Sequence, residues 1–250
     1  MAGAKQRVEQ QPAWVLHTYP WRETSLIVEI FARDHGRVAL VAKGARRPHS
    51  QLRGVLMAFQ PLWMDWSGGG EVKTLVRAEW QGGQPLLTGR ALLCGYYLNE
   101  LLVRLTARED PHPRLFSAYA DAVRALGRGE PESPILRRFE LVLLQDLGYE
   151  AGLAHEGDGG DVVRPDGRYL YIIERGPTRL ETLEEEGVDA AALGDQPVLS
   201  GQTLLDMAAD DFSRAETLAQ SKQLLRMLIN HTLGGQPLQS RRVLKELQEL

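Results

Sequence analysis

A basic loop near the N-terminus has the composition that a phosphate-binding site requires. It is the stretch VAKGARRPHSQLRG (residues 41–54), and no Asp or Glu occurs between residues 35 and 64. Its lysine and arginine side chains are Lys43, Arg46, Arg47 and Arg53. Because a nucleic-acid strand is a dense line of phosphates, its binder needs clustered cations without neighbouring carboxylates. The loop therefore predicts a nucleic-acid contact, with a solvent-exposed basic loop that has no ligand as the alternative.

Other side chains of the N-terminal region can extend such a surface. Further cations that are candidates for the same basic face are Arg22, Arg37, Lys73 and Arg77. The aromatic side chains, on which bases can stack, are Trp14, Tyr19, Trp21, Trp63, Trp66 and Trp80. The alternative for the tryptophans is that they fill the core of a domain.

A second polar stretch, HEGDGGD (residues 155–161), contains metal-ligand side chains without a metal-binding spacing. Nitrogen and oxygen donors are available from His155, Glu156, Asp158 and Asp161. The stretch lacks the spacing of an EF-hand calcium loop, and acidic, glycine-rich segments usually connect elements in solvent. We therefore expect no metal site. A metal-dependent nuclease that uses His155, Asp158 and Asp161 stays open as an alternative.

No enzymatic motif accompanies these residues. The sequence contains no G-x-S-x-G, Walker P-loop, H-E-x-x-H or G-x-G-x-x-G pattern. The single cysteine, Cys94, excludes an intrachain disulfide. It lies in the apolar stretch ALLCGYYL, which favours a buried thiol over a nucleophile. We predict a protein without catalytic residues.

Charge is distributed unevenly along the chain. The formal net charge is -4, from 29 basic and 33 acidic residues. Residues 1–82 hold 11 basic and 7 acidic side chains (+4), residues 83–149 hold 8 of each, residues 150–211 hold 4 and 15 (-11), and residues 212–250 hold 6 and 3 (+3). The N-terminal segment is thus the place where a polyanion is expected to bind.

The N-terminal region predicts a small β-barrel. Its strand-like segments are residues 13–20, 24–33, 37–44, 55–66 and 71–80. Glycine-rich turns separate them, and Asp34-His35-Gly36 predicts a hairpin. This strand number and length match an OB-fold, although an SH3-like barrel has a similar pattern. We assign residues 1–82 to an OB-fold DNA-binding domain.

Helical periodicity follows the barrel and is interrupted once. The predicted helices lie within residues 91–107, 113–127, 135–148, 201–211, 214–234 and 237–250. We assign residues 83–150 and 201–250 to the two parts of an all-α helical bundle. Residues 151–200 form an acidic insertion of loops with a clear strand at 169–173. The predicted class is α+β and multi-domain: an OB-fold barrel, a helical bundle and a small, irregular, β-containing insertion.

Several dispersed motifs resemble the RecO family of recombination mediators. The N-terminal domain of that family is similar to WVLHTYPWRETSLIVEIFARDHGRVALVAKGARR and EVKTLVRAEW. Later landmarks of the family, in the same order, are similar to YYLNELLVRL, LRRFELVLLQDLGY and LGGQPLQSRRVLKEL. The resemblance covers nearly the whole chain apart from residues 150–200. It implies an N-terminal OB-fold, a helical bundle and a non-enzymatic role in DNA repair.

The resemblance also implies partners and site residues. Such a protein binds single- and double-stranded DNA, anneals complementary strands, and works with RecR to load RecA on strands coated by single-stranded-DNA-binding protein. The basic barrel positions of the family carry over onto Lys43, Arg46, Arg47 and Arg53, and onto the more variable position of Arg22. A cytoplasmic, nucleoid-associated location follows.

The family resemblance further implies binding of the acidic, apolar C-terminal tail of the coat protein. Such a tail needs a groove with apolar walls and a basic rim. Our candidates are Arg137 and Arg138, at the opening of the helix ILRRFELVLLQ.

One departure from the family concerns zinc. Many RecO-like proteins carry a cysteine zinc module after the LGY motif, whereas LGYEAGLAHEGDGGD has no cysteine. We expect no zinc and no other cofactor. We also expect no membrane partner, because the sequence has no apolar run long enough to span a bilayer. An interaction scaffold without direct DNA binding stays open as the alternative function.

Overall fold

The computed structural model describes most of the chain. The described residues are 7–149, 152–157, 160–173, 175–187 and 196–248, without the side chains of 244–248. The chain divides into two compact units: one is Met1–Glu132 with Leu238–Leu250, and the other is Ser133–Pro237. The predicted boundaries at residues 82, 150 and 200 remain predictions.

The secondary structure changes from a strand-rich N-terminal region to a largely helical remainder that contains three short strands. The strands are β1 (Arg7–Trp21), β2 (Ser25–Ala32), β3 (Gly36–Ala42), β4 (Pro61–Ser67), β5 (Val72–Trp80), β6 (Arg168–Ile172), β7 (Gly176–Arg179) and β8 (Val198–Ser200). The helices are α1 (Leu52–Val55), α2 (Gly89–Leu105), α3 (Pro113–Gly127), α4 (Glu132–Asp146), α5 (Leu180–Glu185), α6 (Gly201–Ala208), α7 (Ala215–Thr232) and α8 (Gln239–Gln248).

The first five strands close into a barrel in the order β1-β2-β3-β5-β4. Its strand pairs are antiparallel except for β3 and β5, which run parallel. The short helix α1 lies between β3 and β4. This closed five-stranded barrel confirms the predicted OB-like fold.

Alternating apolar side chains fill the barrel. Val28 and Ile30 of β2 are fully buried, and so is Met64 of β4. Trp66 is 1% exposed and belongs to the same core. For this tryptophan, the alternative that it fills the core of a domain is therefore the correct one. The predicted strand at residues 55–66 is shorter in the structure, because α1 and a left-handed Phe59 (φ +64°) precede β4.

The predicted hairpin between β2 and β3 is present and depends on a glycine. Gly36 has φ +62°, a conformation that L side chains rarely adopt. A Cβ atom at this position would lie 1.8 Å from the backbone carbonyl oxygen of Asp110. The turn and the close approach of the segment after α2 therefore both require glycine.

A β-bulge in β1 changes which side chains face outward. Val15 lies opposite Ile30 and His17 lies opposite Glu29, so that Leu16 is an extra residue in β1. Because strand side chains alternate between faces, the extra residue exchanges the inward and outward positions of the rest of the strand.

Buried hydrogen bonds hold this bulge. The Asn99 side-chain NH₂ of α2 donates to the Leu16 carbonyl oxygen at 2.9 Å. The Tyr119 hydroxyl of α3 donates to Asn99 Oδ1 at 2.6 Å. Burial raises the pKa of Tyr119, which keeps its hydroxyl protonated and available as the donor.

A long-range contact holds α8 against α2. The Glu100 carboxylate accepts hydrogen bonds from the backbone N–H groups of Gln239 (2.7 Å) and Ser240 (2.8 Å). These are among the N–H groups at a helix start that lack partners within the helix. A distant carboxylate thus caps α8, and Ser240 lies in its first turn.

The second unit combines helices with a small antiparallel sheet in the order β7-β6-β8. The predicted strand of the acidic insertion is β6, at the centre of this sheet. Asp206 joins α6 to α7 by accepting a hydrogen bond from Thr217 at 2.5 Å. Burial raises the pKa of Asp206, but the hydrogen bonds from Thr217 and Gln202 and the guanidinium of Arg214 together outweigh it and hold the pKa below its usual value.

Within the described residues, no helix is long and apolar enough to cross a membrane.

An ion-pair cluster joins the barrel to the end of α2. Glu29 of β2 is 2% exposed, and its carboxylate pairs with Arg37 at 3.2 Å and with Arg108. The Arg37 guanidinium also donates to the carbonyl oxygen of Thr106, the residue that follows α2, at 3.0 Å. Arg37 therefore connects a buried carboxylate with a helix end.

We predict that Arg37→Ala lowers the free energy of unfolding by about 3 kcal/mol, because it leaves Glu29 buried without one of its partners. Urea denaturation followed by circular dichroism measures the change. The control is Arg33→Ala, in the same hairpin, which removes only an exposed pair with Asp34 and should change stability little. Equal effects of the two substitutions would contradict the structural role of Arg37.

Candidate nucleic-acid interface

Two loops at one end of the barrel bring basic residues together. They are the turn between β1 and β2 (residues 22–24) and the segment between β3 and α1 (residues 43–51). The pairing of β2 with β3 places both at the same end. The Arg46 backbone N–H donates to the Thr24 carbonyl oxygen at 2.8 Å, and the Arg46 guanidinium donates to the Arg22 carbonyl oxygen at 3.4 Å. These bonds place the Arg22 backbone beside the basic loop.

Local hydrogen bonds shape the basic loop and leave its side chains in solvent. Gly44 adopts φ +69°, and the Arg47 N–H donates to its carbonyl oxygen at 3.1 Å. Ser50 N–H then donates to the Arg47 carbonyl oxygen at 3.1 Å, and α1 follows. We define the basic cluster as the exposed side chains of Arg22, Lys43, Arg46, Arg47 and Arg53.

The basic cluster differs from the other cations of the barrel in having no carboxylate partner. Within the part of the chain that the structure describes, none of its members forms an ion pair, and neither does the exposed Glu23 in the same turn. The remaining described barrel cations are paired: Arg7 with Glu9, Arg33 with Asp34, Arg37 with Glu29, Lys73 with Glu109 and Arg77 with Glu79. This end of the barrel therefore holds five cationic side chains and one nearby carboxylate, Glu23, and none of the five is ion-paired in the described residues.

The structure does not bring the other predicted DNA-binding cations into the basic cluster. Arg37 is the second residue of β3 and lies about 20 Å from Lys43, which follows the last residue of the same strand. Lys73 is 8% exposed, and its ammonium group also donates to the Gly70 carbonyl oxygen. Arg77 is exposed on β5 and pairs with Glu79 at 2.5 Å. A DNA contact by these three residues stays a prediction.

The predicted stacking residues divide into buried and exposed groups. Trp14 is 4% exposed, and its ring meets that of Tyr119 edge-on at 5.5 Å. Tyr19 and Trp21 are 44% and 45% exposed and directly precede the turn that contains Arg22. Exposed tryptophans elsewhere on the barrel are Trp63 (42%) and Trp80 (58%).

A groove beside the basic loop was not predicted from the sequence. It measures about 310 Å³, and its lining includes the apolar side chains of Leu26, Leu52 and Leu56. Arg46 and Arg53 line the same groove. The spacing of Leu52 and Leu56, four residues apart on either side of Arg53, is a helical signal that could have indicated it.

The two predicted tail-binding residues of α4 have different environments. Arg137 is 7% exposed and pairs with the buried Glu140 at 2.5 Å. Arg138 is exposed and pairs with Asp210 at 2.7 Å. Its guanidinium carbon also lies 5.8 Å from the centroid of the Phe212 ring. An acidic and aromatic segment of the chain itself thus contacts Arg138.

The side chains considered for the alternative of a metal site have different environments. Glu156 pairs with Arg179 at 2.5 Å, and the His155 backbone forms a β-bridge with Val162. Asp158 lies outside the described residues. No group of three or more His, Cys, Asp or Glu side chains suited to a metal ion occurs in the described part of the chain.

Comparison with known proteins agrees with this architecture. The family model described as "Recombination protein O N terminal" matches residues 7–83, and that described as "Recombination protein O C terminal" matches residues 86–242. A DNA repair protein RecO from Azoarcus sp. (strain BH72) is 74% identical over 98% of this chain and 99% of its own length.

Further relatives carry the same name. The protein from Aromatoleum aromaticum is 75% identical over 98% of this chain and 99% of its own length. The protein from Ralstonia nicotianae is 55% identical over 100% of this chain and 88% of its own length. This chain belongs to the RecO family of DNA repair proteins.

Proposed function

We propose that this protein is a DNA-binding recombination mediator without catalytic activity, and that the basic cluster is its DNA-binding site. The observation that carries the proposal is the absence of ion-pair partners around the cluster within the described residues, while the other described barrel cations are paired. Unpaired, exposed arginine and lysine side chains can exchange the counterions of DNA phosphates without first breaking an internal ion pair.

The cluster suits phosphate contacts more than base recognition. Four of its five cationic groups lie on two adjacent loops, and the fifth, Arg53, lies in the four-residue helix α1, which is too short to be laid along a DNA groove. Binding through phosphates is independent of sequence and accepts both single- and double-stranded DNA. Neutralising the phosphates of two strands lowers their mutual repulsion, which is the physical basis on which we propose strand annealing.

The wider role rests on family membership. The family name supports a role in DNA repair. We propose that this role includes cooperation with RecR and loading of RecA on DNA coated by single-stranded-DNA-binding protein. We also propose that the protein acts in the cytoplasm at the nucleoid, and that it requires neither zinc nor another cofactor for DNA binding.

For the coat-protein tail, we propose Arg138 as the contact in preference to the buried Arg137. Arg138 is exposed and binds Asp210 and Phe212, a carboxylate and an aromatic ring, within its own unit. An acidic, apolar tail offers the same two groups. Tail binding would therefore replace the internal contact of Arg138 with Asp210.

We predict that the triple substitution Lys43→Ala, Arg46→Ala and Arg47→Ala weakens binding of labelled single-stranded DNA at least about tenfold and lowers the salt slope of the binding constant by about two. Fluorescence anisotropy over a salt series measures both quantities. Circular dichroism verifies that the variant remains folded, as expected for exposed side chains.

The matched control is Arg7→Ala, Arg33→Ala and Arg77→Ala, which removes the same charge from exposed but paired positions of the barrel. This control should retain most of the affinity. Equal losses in the two variants would assign binding to net charge and overturn the site. Wild-type protein that does not bind DNA would support the scaffold function.

We predict that Arg138→Ala weakens binding of a fluorescent peptide corresponding to the coat-protein tail about fivefold, whereas Asp210→Ala strengthens it by releasing Arg138. Fluorescence polarisation measures the affinities, and Arg226→Ala, an exposed arginine of α7, is the control. Unchanged peptide binding in Arg138→Ala would remove this residue from the tail site.

A further inference from the structure

An open patch of aromatic and apolar side chains lies beside the basic cluster. After the bulge at Leu16, the outward-facing residues of β1 are His17, Tyr19 and Trp21, each of which is exposed. Their Cα positions repeat at about 7 Å along the strand. The row ends at the turn that carries Arg22.

The neighbouring strands continue the same face. Tyr19 lies opposite Ile27, Ile27 lies opposite Val41, and Val41 lies opposite Thr74, so that one row of side chains crosses β1, β2, β3 and β5. The last three are partly buried. Ile27 and Val41 supply apolar surface beside the exposed ring of Tyr19, and the row ends at Thr74 of β5.

Helices of the same unit cover the other end of this face. Phe31, an outward-facing residue of β2, is fully buried, and its ring lies 5.6 Å from that of Phe116 in α3. Glu29 is covered by its pairs with Arg37 and Arg108. The cover ends there, and the open part of the face leads directly to the basic cluster.

We propose that this open face is a base-stacking platform for single-stranded DNA, with Tyr19 and Trp21 as the stacking residues. The proposal rests on the proposed DNA binding by the basic cluster and gives it a preferred substrate. A single strand that follows the cluster with its phosphates can turn its bases onto the adjacent rings. The bases of a duplex are stacked on one another and do not offer their faces to these side chains.

The charge beside the platform favours a nucleic acid over an acidic peptide. Tyr19 and Trp21 offer flat rings beside several unpaired cations. Each nucleotide combines a phosphate, which can contact the cations, with a flat base, which can stack on the rings. A single strand repeats this combination at every nucleotide. A peptide would match the same surface only where an acidic and an aromatic side chain happen to alternate.

The test is the double substitution Tyr19→Ala with Trp21→Ala, measured with labelled oligothymidine, with an abasic strand of equal length and with a duplex. We expect about tenfold weaker binding of oligothymidine, from the loss of two stacking residues, and unchanged binding of the abasic strand and the duplex. The wild type should bind the abasic strand about as weakly as the variant binds oligothymidine.

The matched control is Trp63→Ala, which removes a tryptophan of similar exposure from β4 and should leave all three affinities unchanged. Thermal melting of each variant verifies that the barrel is intact. If the double variant binds oligothymidine like the wild type, or loses the same factor on the duplex, the stacking platform is overturned while DNA binding by the basic cluster stands. Wild-type protein that binds none of the three ligands would overturn the proposed function as well.

Discussion

The hydrogen bond from the Asn99 side chain to the Leu16 carbonyl fixes the orientation of the barrel's first strand. Leu16 is the extra residue of a bulge and has no register partner on β2. Asn99 satisfies its carbonyl oxygen at 2.9 Å, and Tyr119 satisfies Asn99 in turn. Because these groups are buried, leaving any one without a partner would be unfavourable. The bulge, and with it the outward position of Tyr19 and Trp21, depends on a contact made by the helices that follow the barrel.

The cationic side chains of the barrel fall into two groups, those that are ion-paired and those that are not. Arginines that hold the fold are paired: Arg37 and Arg108 share the buried Glu29. The cations of the basic cluster have no carboxylate partner among the described residues, and they lie on two loops and the short helix α1, which local backbone hydrogen bonds support. Structural arginines add to net charge but offer little free charge to a polyanion. The negative net charge of the whole chain therefore does not indicate whether its N-terminal barrel can bind a polyanion.

The sequence predicted the features that depend on local pattern. Strand alternation and glycine-rich turns predicted the barrel, and the carboxylate-free stretch around Lys43 to Arg53 predicted the basic loop as a coherent feature. Helical periodicity placed α3 at its observed bounds, Pro113–Gly127.

Features that depend on distant contacts could not be predicted in this way. The pairing of Lys73 with Glu109 joins residues far apart in sequence, and no local pattern reveals that such a lysine is buried. The bulge at Leu16 is stabilised by Asn99 from another element. The sequence of β1 alone therefore could not show that Trp21 is exposed while Trp14 is buried. The carboxylate that caps α8, Glu100, precedes that helix by more than one hundred residues.

We propose that DNA binds the end of the barrel formed by the basic cluster and the neighbouring aromatic face. Hydrogen–deuterium exchange followed by mass spectrometry, with and without saturating single-stranded DNA, tests it most directly, because it locates the bound surface without any substitution. We predict slower exchange on DNA binding in residues 17–27 and 43–56, and little change in β4. Protection confined to residues 133–237, or none in these two segments while DNA is bound, would contradict it.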